Sequence, residues 1–188
     1  MSTYPQKPIL IVAGPTASGK SSLALAAADK YNGVIINCDA MQVYRELRLI
    51  TARPSSEDEA KVSHKLYGVI PAAEACSAGI WRELAVAEIE TCWRADRLPI
   101  VTGGTGLYIR ALMEGLTDIP EIPREIREEV TERRDQIGPE AFRKELAKFD
   151  PVSAERLNPT DSQRMIRAYE VYLGTERSLT DWHQDAPT

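Results

Sequence analysis

The stretch Ile9–Lys30, ILIVAGPTASGKSSLALAAADK, joins an apolar run, a glycine-containing turn and an alanine-rich run. Ile9–Ala13 is continuously apolar and largely β-branched, which predicts a buried strand of a parallel sheet. Lys20–Lys30 has the composition of a helix. Between them, Gly14–Ser21 fits the pattern G-x-x-x-x-G-K-[ST]. A strand, this turn and a helix in that order are typical of a P-loop, which usually binds phosphate.

The residue types of this loop suit a phosphate group. Glycines at both ends let the backbone N–H groups turn inward, and the following helix N-terminus adds its dipole. Lys20 supplies a full positive charge, and the hydroxyl of Ser21 can bind Mg²⁺, the predicted cofactor. The predicted diphosphate- or nucleotide-binding residues are Gly14, Pro15, Thr16, Ala17, Ser18, Gly19, Lys20 and Ser21.

Further strands and helices are expected downstream of the loop. The predicted strands are Val34–Cys38, Leu66–Ile70 (the weakest) and Pro99–Thr102. Helical spacing between Trp81 and Trp93 predicts a helix with Ser77 as its cap, and a further helix is predicted at Thr105–Glu114 before Gly115. Strands that alternate with helices indicate a parallel sheet. The predicted fold class is therefore α/β: a P-loop NTPase-like parallel sheet flanked by helices, with a small helical insertion.

After Gly115 the chain becomes charged and lacks an apolar strand run. Pro123 suits the first turn of a helix, and Gly138 suits its end. A further helix is predicted over Ser162–Leu173, with Gly174 ending it. We predict an α/β core at 1–115, a helical insertion at 116–158, and a return to the core with C-terminal helices at 159–188.

Composition limits the function classes. The 188 residues suffice for a domain with a real core, and a net charge of −5 argues against a general nucleic-acid coat but allows a local basic groove. The three cysteines have no metal-ligand spacing, which favours reduced cytosolic thiols. The apolar run near the N-terminus is too short to span a membrane. We expect a cytoplasmic monomer without a membrane segment.

The loop alone does not choose a reaction, because kinases, NTPases and some transferases share it. An NTPase usually places an aspartate after an apolar strand to hold magnesium. The strand Pro99–Thr102 is followed by glycines, and the other candidate is Asp39, after Val34–Cys38. The sequence around Asp39 must therefore decide.

Three further segments point to one family: INCDAMQVYRE (36–46), VTGGTGLYIRAL (101–112) and DSQRMIRAYEVY (161–172). With GPTASGKS they resemble, in the same order, four motifs of the tRNA dimethylallyltransferases. The resemblance extends from about Pro8 to about Trp182. It implies transfer of a dimethylallyl group from dimethylallyl diphosphate to the exocyclic amine of the adenosine 3′ of the anticodon in tRNA. The P-loop would then hold the diphosphate as a leaving group.

The resemblance also implies catalytic roles. Lys20 would stabilise the departing diphosphate. Asp39 would accept the proton of the adenine amine, although a magnesium second-shell role or a simple cap is the alternative. Thr105 would contact the tRNA, with an N-cap as its other role. Gln42 would meet the edge of a flipped base, or else be an exposed loop residue.

Contacts with tRNA are implied in the C-terminal part as well. Arg164 and Arg167 are three residues apart and share a helix face, which suits a nucleic-acid backbone or a solvated surface. Arg127 matches a family position that contacts tRNA. Trp81, Trp93 and Tyr108 are expected in the core. The predicted tRNA-binding residues are Asp39, Ala40, Met41, Gln42, Thr105, Arg127, Gln163, Arg164, Met165, Ile166 and Arg167.

The sequence departs from the family at a few positions. Ala40 stands where the family has serine, Ile50 where it has glycine, Arg53 where it has lysine, and Tyr169 where it has leucine. Family members usually continue well past the equivalent of Trp182, so a fragment, a truncated form or a shortened relative is expected. The alternatives are a small-molecule P-loop kinase whose insertion acts as a lid, and a non-catalytic relative that still binds diphosphate.

Overall fold

The structure, a computed structural model, describes residues 7–185, which divide after Gly115 into two compact units. Of the three buried hydrophobic clusters among these residues, two lie in the first unit and one lies in the second. Among residues 7–185, no helix has both the length and the apolar composition that crossing a lipid bilayer would require.

The first unit contains a parallel sheet in the order β1-β4-β2-β3. Its strands are β1 (Leu10–Ala13), β2 (Gly33–Asn37), β3 (His64–Lys65) and β4 (Leu98–Gly103). The predicted parallel α/β sheet is thus confirmed, but the strand predicted at Leu66–Ile70 is wrong. The backbone leaves the extended conformation there, because Leu66 has φ 63° and Gly68 has φ 61°. Ile70 makes only an isolated bridge to Tyr44.

Helices cover both faces of this sheet. They are α1 (Lys20–Lys30), α2 (Ser56–Lys61), α3 (Ala78–Arg94) and α4 (Gly106–Glu114), with a 3₁₀ turn at Arg45–Leu47. The bounds of α1 are those predicted. The hydroxyl of Ser77 accepts a hydrogen bond from the Ile80 N–H at 3.2 Å, so the predicted cap of α3 is confirmed.

Strand alternation explains how each face is covered. Ile35 packs with Ala24 and Ala28 of α1, whereas its neighbours Val34 and Ile36 pack in the cluster that includes α3. In the latter cluster Trp81 and Tyr108 are buried and their rings stack at 4.5 Å. Trp93 lies half-buried against it. The expected core positions are confirmed for Trp81 and Tyr108, whereas Trp93 is only partly buried.

The second unit is helical within the described residues. Its helices are α5 (Arg124–Ile137), α6 (Pro139–Leu146), α7 (Pro151–Arg156), α8 (Ser162–Thr175) and α9 (Leu179–Gln184). Met165 and Ala168 of α8 share one cluster with Val130 of α5 and Phe142 of α6. The boundary predicted at residue 158 therefore does not coincide with a division in packing.

Gly174 does not end α8, as the sequence had predicted, but lies inside it. A Cβ on Gly174 would lie 2.7 Å from Cδ1 of Ile122, so this glycine permits a close approach of the segment before α5. The helix ends at Glu176 instead, which adopts a left-handed conformation with φ 56°.

Candidate active site

The order of the strands brings three distant sequence segments to one edge of the sheet. Strand β4 lies between β1 and β2, where Ala13 is paired with Gly103 and Asn37 with Thr102. Because all three strands are parallel, the loops that follow them leave the sheet at the same edge, where α/β proteins bind their ligands. These loops, at 14–19, 38–42 and 104–105, contain three of the four motifs.

The loop that fits the P-loop pattern contains two residues with left-handed backbone conformations. Ala17 and Gly19 have φ values of 62° and 83°, in the left-handed region. Lys20 begins α1, and its ammonium group donates a hydrogen bond of 2.5 Å to the carbonyl of Pro15. The lysine therefore lies against the loop backbone, where a phosphate held by the loop N–H groups would meet its charge. Ser21 is exposed in the first turn of the same helix.

The glycines at the end of β4 and directly after it allow the three loops to approach each other. A Cβ on Gly103 would lie only 2.0 Å from the carbonyl oxygen of Cys38, and one on Gly104 would lie 3.3 Å from the carbonyl oxygen of Gly14. The Thr105 N–H then donates to the Cys38 carbonyl at 3.2 Å. The backbones after β1, β4 and β2 thus form one continuous surface.

Substituting alanine for Gly103 is expected to destabilise the chain by about 1–3 kcal/mol, because the new methyl group meets a backbone oxygen rather than a movable side chain. Urea unfolding measures this change. Gly106→Ala is the matched control, since a Cβ there meets nothing within 4 Å. Equal unfolding midpoints for the two variants would contradict the packing described here.

Asp39 is held by the polar groups around it. Its N–H donates to Oδ1 of Asn37, and Nδ2 of Asn37 donates to the Asp39 carbonyl, both at 3.0 Å. The Oδ1 atom of Asp39 accepts from the N–H groups of Met41 and Gln42 at 2.9 and 3.3 Å. Through Oδ1 the carboxylate stabilises the turn that follows it, as the cap alternative predicts. Both of these hydrogen bonds end on Oδ1 and neither on Oδ2.

Asn37 was not recognised from the sequence. Its side chain is fully buried and, besides holding Asp39, donates through Nδ2 to the backbone carbonyl of Leu66 at 3.1 Å. The backbone carbonyl of Asn37 accepts a hydrogen bond from Nε1 of Trp81 at 2.9 Å. The available signal was an amide within an otherwise apolar strand, because a buried polar side chain requires partners.

Thr105 joins two of the loops. It precedes α4 in the N-cap position, but its side chain makes no capping hydrogen bond. Instead its Oγ1 accepts from the Ala40 N–H at 2.9 Å. The N-cap alternative is therefore met by position only, and the hydroxyl contacts the loop that carries Asp39.

Gln42 is half-buried rather than an exposed loop residue. Its Nε2 donates to the Thr51 carbonyl at 2.7 Å. Arg53 closes the same segment by donating to the carbonyls of Tyr44 and Arg45. The family departure at Arg53 thus has a structural role, since its guanidinium holds the chain that follows the Asp39 loop.

The three cysteines are free, and two of them, Cys38 and Cys92, are buried. Burial, with the nearby Asp39 carboxylate, raises the pKa of the Cys38 thiol from its ordinary value of 9.0 to about 12. A thiol with so high a pKa stays protonated at neutral pH and is not a nucleophile. That the cysteines are reduced cytosolic thiols stays a prediction.

The remaining predicted tRNA-binding residues lie in the second unit. Arg167 donates to Glu170 at 2.7 Å, and Arg164 donates to Asp161 at 3.0 Å. Gln163 is exposed and Ile166 is half-buried. Met165 has no exposed surface and packs in the helical core, so its side chain is covered here, and its predicted tRNA contact stays untested.

Comparison with known proteins identifies the family. Residues 42–188 match the family described as IPP transferase. The chain belongs to that family. A Rhodospirillum rubrum protein named tRNA dimethylallyltransferase is 54% identical over 178 residues, which are 95% of this chain and 55% of that protein. One of the same name from Granulibacter bethesdensis is 52% identical over 97% of this chain and 57% of its own.

Several solved structures resemble the chain over most of its length, including the following two. One is described as a eukaryotic dimethylallyltransferase acting on tRNA, with 27% identity, a TM-score of 0.78, and coverage of 95% of this chain and 44% of that one. The other is the tRNA isopentenylpyrophosphate transferase of Bacillus halodurans, with 31% identity, a TM-score of 0.59, and coverage of 92% and 57%. The chain spans about half the length of the curated relatives that it matches. The family resemblance and the fold are confirmed.

Proposed function

We propose that this chain carries the donor site and the catalytic core of a tRNA dimethylallyltransferase. The observation that supports this most is the junction of the P-loop, the Gly103–Thr105 segment and the Asp39 loop at one edge of the sheet. The transfer requires a loop that binds the diphosphate and a nearby carboxylate that accepts a proton. Two relatives with 54% and 52% sequence identity to this chain are named tRNA dimethylallyltransferase.

The P-loop acts on the leaving group. As the bond between the allylic carbon and the diphosphate oxygen breaks, the electron pair stays on the oxygen and the carbon becomes positive. Lys20 and the loop N–H groups stabilise the charge that develops on the diphosphate, which is where preorganised donors have their largest effect on rate. The loop therefore transfers no phosphoryl group.

Asp39 acts on the acceptor. The exocyclic amine of adenine is a weak nucleophile, because its lone pair is delocalised into the ring. As its nitrogen bonds to the allylic carbon, it becomes cationic and must lose a proton, which Oδ2 of Asp39 accepts. The Oδ1 bonds to Met41 and Gln42 hold the carboxylate in place for this step. Thr105 and Gln42 flank the same loop and would position the base.

Magnesium fits the donor set at the P-loop. Residues 7–185 contain no group of three or more His, Cys, Asp or Glu side chains able to hold a metal ion. Mg²⁺ bound to a diphosphate needs no such cluster, because it takes most ligands from phosphate oxygens and water. The exposed Ser21 hydroxyl would hold it, and bound Mg²⁺ would neutralise part of the diphosphate charge.

The tRNA partner would be gripped in part by the arginines of the second unit. Replacing Arg167 with alanine removes one phosphate-type contact, so we expect weaker tRNA binding and a slope of log affinity against log salt reduced by about 1. Donor affinity should change less. Titrations of tRNA and donor at several salt concentrations measure both, with Arg156→Ala, exposed in the same unit, as the control. Equal losses would instead place Arg167 on the diphosphate.

Mass analysis of tRNA nucleosides tests the proposed function. The chain is incubated with tRNA and dimethylallyl diphosphate, and in parallel with ATP and small acceptors. A dimethylallyl adenosine is the expected product, from this chain or from a form extended by the C-terminal part of the Rhodospirillum rubrum relative. Consumption of ATP would support the kinase alternative, and donor binding without product in either form would support the non-catalytic one. A cytoplasmic location and a monomeric state stay predictions.

A further inference from the structure

Glu170 is a carboxylate on the buried stripe of α8. The other buried residues of this helix are Met165, Ala168 and Val171, at the spacing of a core-facing side. The Glu170 side chain is only 3% exposed. A carboxylate is seldom buried to this degree unless it is paired, so its partners indicate why it is there.

Two arginines from different helices share this carboxylate. Nη1 of Arg167, in α8, lies 2.7 Å from Oε1, and Nε of Arg127, in α5, lies 3.8 Å from Oε2. The two arginine side chains are 45% and 62% exposed. Two positively charged side chains therefore share one buried negative charge.

These arginines differ from an ordinary paired arginine in the same unit. Arg133 donates through both Nε and Nη2 to Glu145, so its carboxylate occupies one edge of the guanidinium fork. Arg167 donates to Glu170 through Nη1 alone, and Arg127 stands beyond hydrogen-bond distance. Each guanidinium has several N–H groups. Both arginines thus keep donors that Glu170 does not use.

We propose that Glu170 is a positioning residue that fixes Arg127 and Arg167 as a paired clamp for phosphate. The shared chemistry is a phosphate oxygen, and we assign it to the tRNA backbone, an assignment that rests on the proposed function. Planar guanidinium groups bind phosphate through fixed forks, so their orientation matters as well as their charge. The buried carboxylate orients Arg167 through a hydrogen bond and keeps Arg127 of the neighbouring helix close through a longer ion pair.

Glu170→Gln tests the clamp, because it keeps the shape and removes the charge. We expect binding of an anticodon stem-loop RNA to weaken by roughly tenfold, the scale of one lost charge-assisted hydrogen bond. Donor affinity should stay within about twofold. The variant loses one negative charge, so a role through net charge alone would strengthen RNA binding instead. The direction of the change therefore separates positioning from simple electrostatics, and unchanged or tighter binding by the folded variant overturns the proposal.

Glu145→Gln is the matched control. It breaks the ion pair of Glu145 with Arg133 in the same unit and should leave RNA affinity unchanged. An equal loss in this variant would assign the effect to general destabilisation. Thermal unfolding is measured for both. If Glu170→Gln does not fold, Arg167→Lys replaces it, since it keeps the charge on a half-exposed side chain and loses the fork. Wild-type RNA affinity in Arg167→Lys overturns the proposal.

A double-mutant cycle tests whether Glu170 acts through the arginines. If it does, Arg127→Ala should cost less RNA affinity in the Glu170→Gln background than alone. Additive losses overturn the proposal. A loss of donor affinity equal to that of RNA affinity also overturns it, because it moves the clamp to the diphosphate. If no modified nucleoside forms while Glu170→Gln still weakens RNA binding, the proposed function fails and the clamp stands.

Discussion

Lys20→Ala is expected to lower turnover of dimethylallyl diphosphate by about 10²–10³-fold, or roughly 2.7–4 kcal/mol of transition-state stabilisation. The reason is the position of the ammonium group against the P-loop backbone, where it is 2.5 Å from the Pro15 carbonyl. The negative charge on the departing diphosphate increases as the allylic bond breaks. Lys20 therefore stabilises the transition state more than the bound donor, and most of the loss should appear in kcat rather than in donor affinity. Steady-state kinetics with varied donor, together with direct donor titration, separate the two.

Lys30→Ala is the control for this variant. It removes the same charge from the same helix, but from its last residue, ten residues from Lys20 and about 15 Å along the axis. Its turnover should stay close to that of the parent chain. Near-normal turnover in Lys20→Ala would exclude the loop as the donor site. A weaker donor affinity with unchanged kcat would mean that the lysine binds the ground and transition states equally.

The features that the sequence predicted are those that depend on local pattern. The bounds of α1, the cap at Ser77 and the parallel sheet follow from short segments in which propensity and periodicity agree. The strand order was not needed to place the P-loop motif and Asp39 at one edge, because parallel strands all end there. The strand predicted at Leu66–Ile70 is absent, because Leu66 adopts a left-handed backbone conformation. A leucine in the sequence gives no local signal of that conformation.

The features that the sequence did not predict depend on long-range partners. Asn37 is one amide in an apolar run, and only the approach of Leu66 and Trp81 shows what it holds. Met165 belongs to a motif with a functional resemblance, yet helix packing buries it. A glutamate in a helix is usually exposed, and only the ion pairs with Arg127 and Arg167 explain why Glu170 is buried. A motif therefore predicts which segments matter more reliably than which of its side chains reach a ligand.

Asp39→Asn is expected to lower turnover by about 10²-fold or more, the usual scale for removing a general base. Asparagine keeps the size of the side chain, and its Oδ1 can still accept from the Met41 and Gln42 N–H groups, so the turn should survive. What it lacks is a basic oxygen for the proton of the adenine amine. Stopped-time assays of product formation at saturating donor and tRNA measure the loss directly.

Donor and magnesium titrations of the same variant decide between the two roles open for Asp39. As a base, Asp39 is needed only when the amine becomes cationic, and the diphosphate binds at Lys20 and Ser21, so donor affinity should be retained. If Asp39 instead organises the metal, the Asp39→Asn substitution should weaken magnesium binding and donor binding in parallel. Asp29→Asn, near the distal end of α1, is the control for the loss of one carboxylate. Lost turnover with intact donor affinity supports Asp39 as the general base. A parallel loss of magnesium affinity and donor affinity supports the metal role instead. If the unmutated chain is inactive, turnover is measured in the extended form and donor binding in this chain, and the same comparison holds.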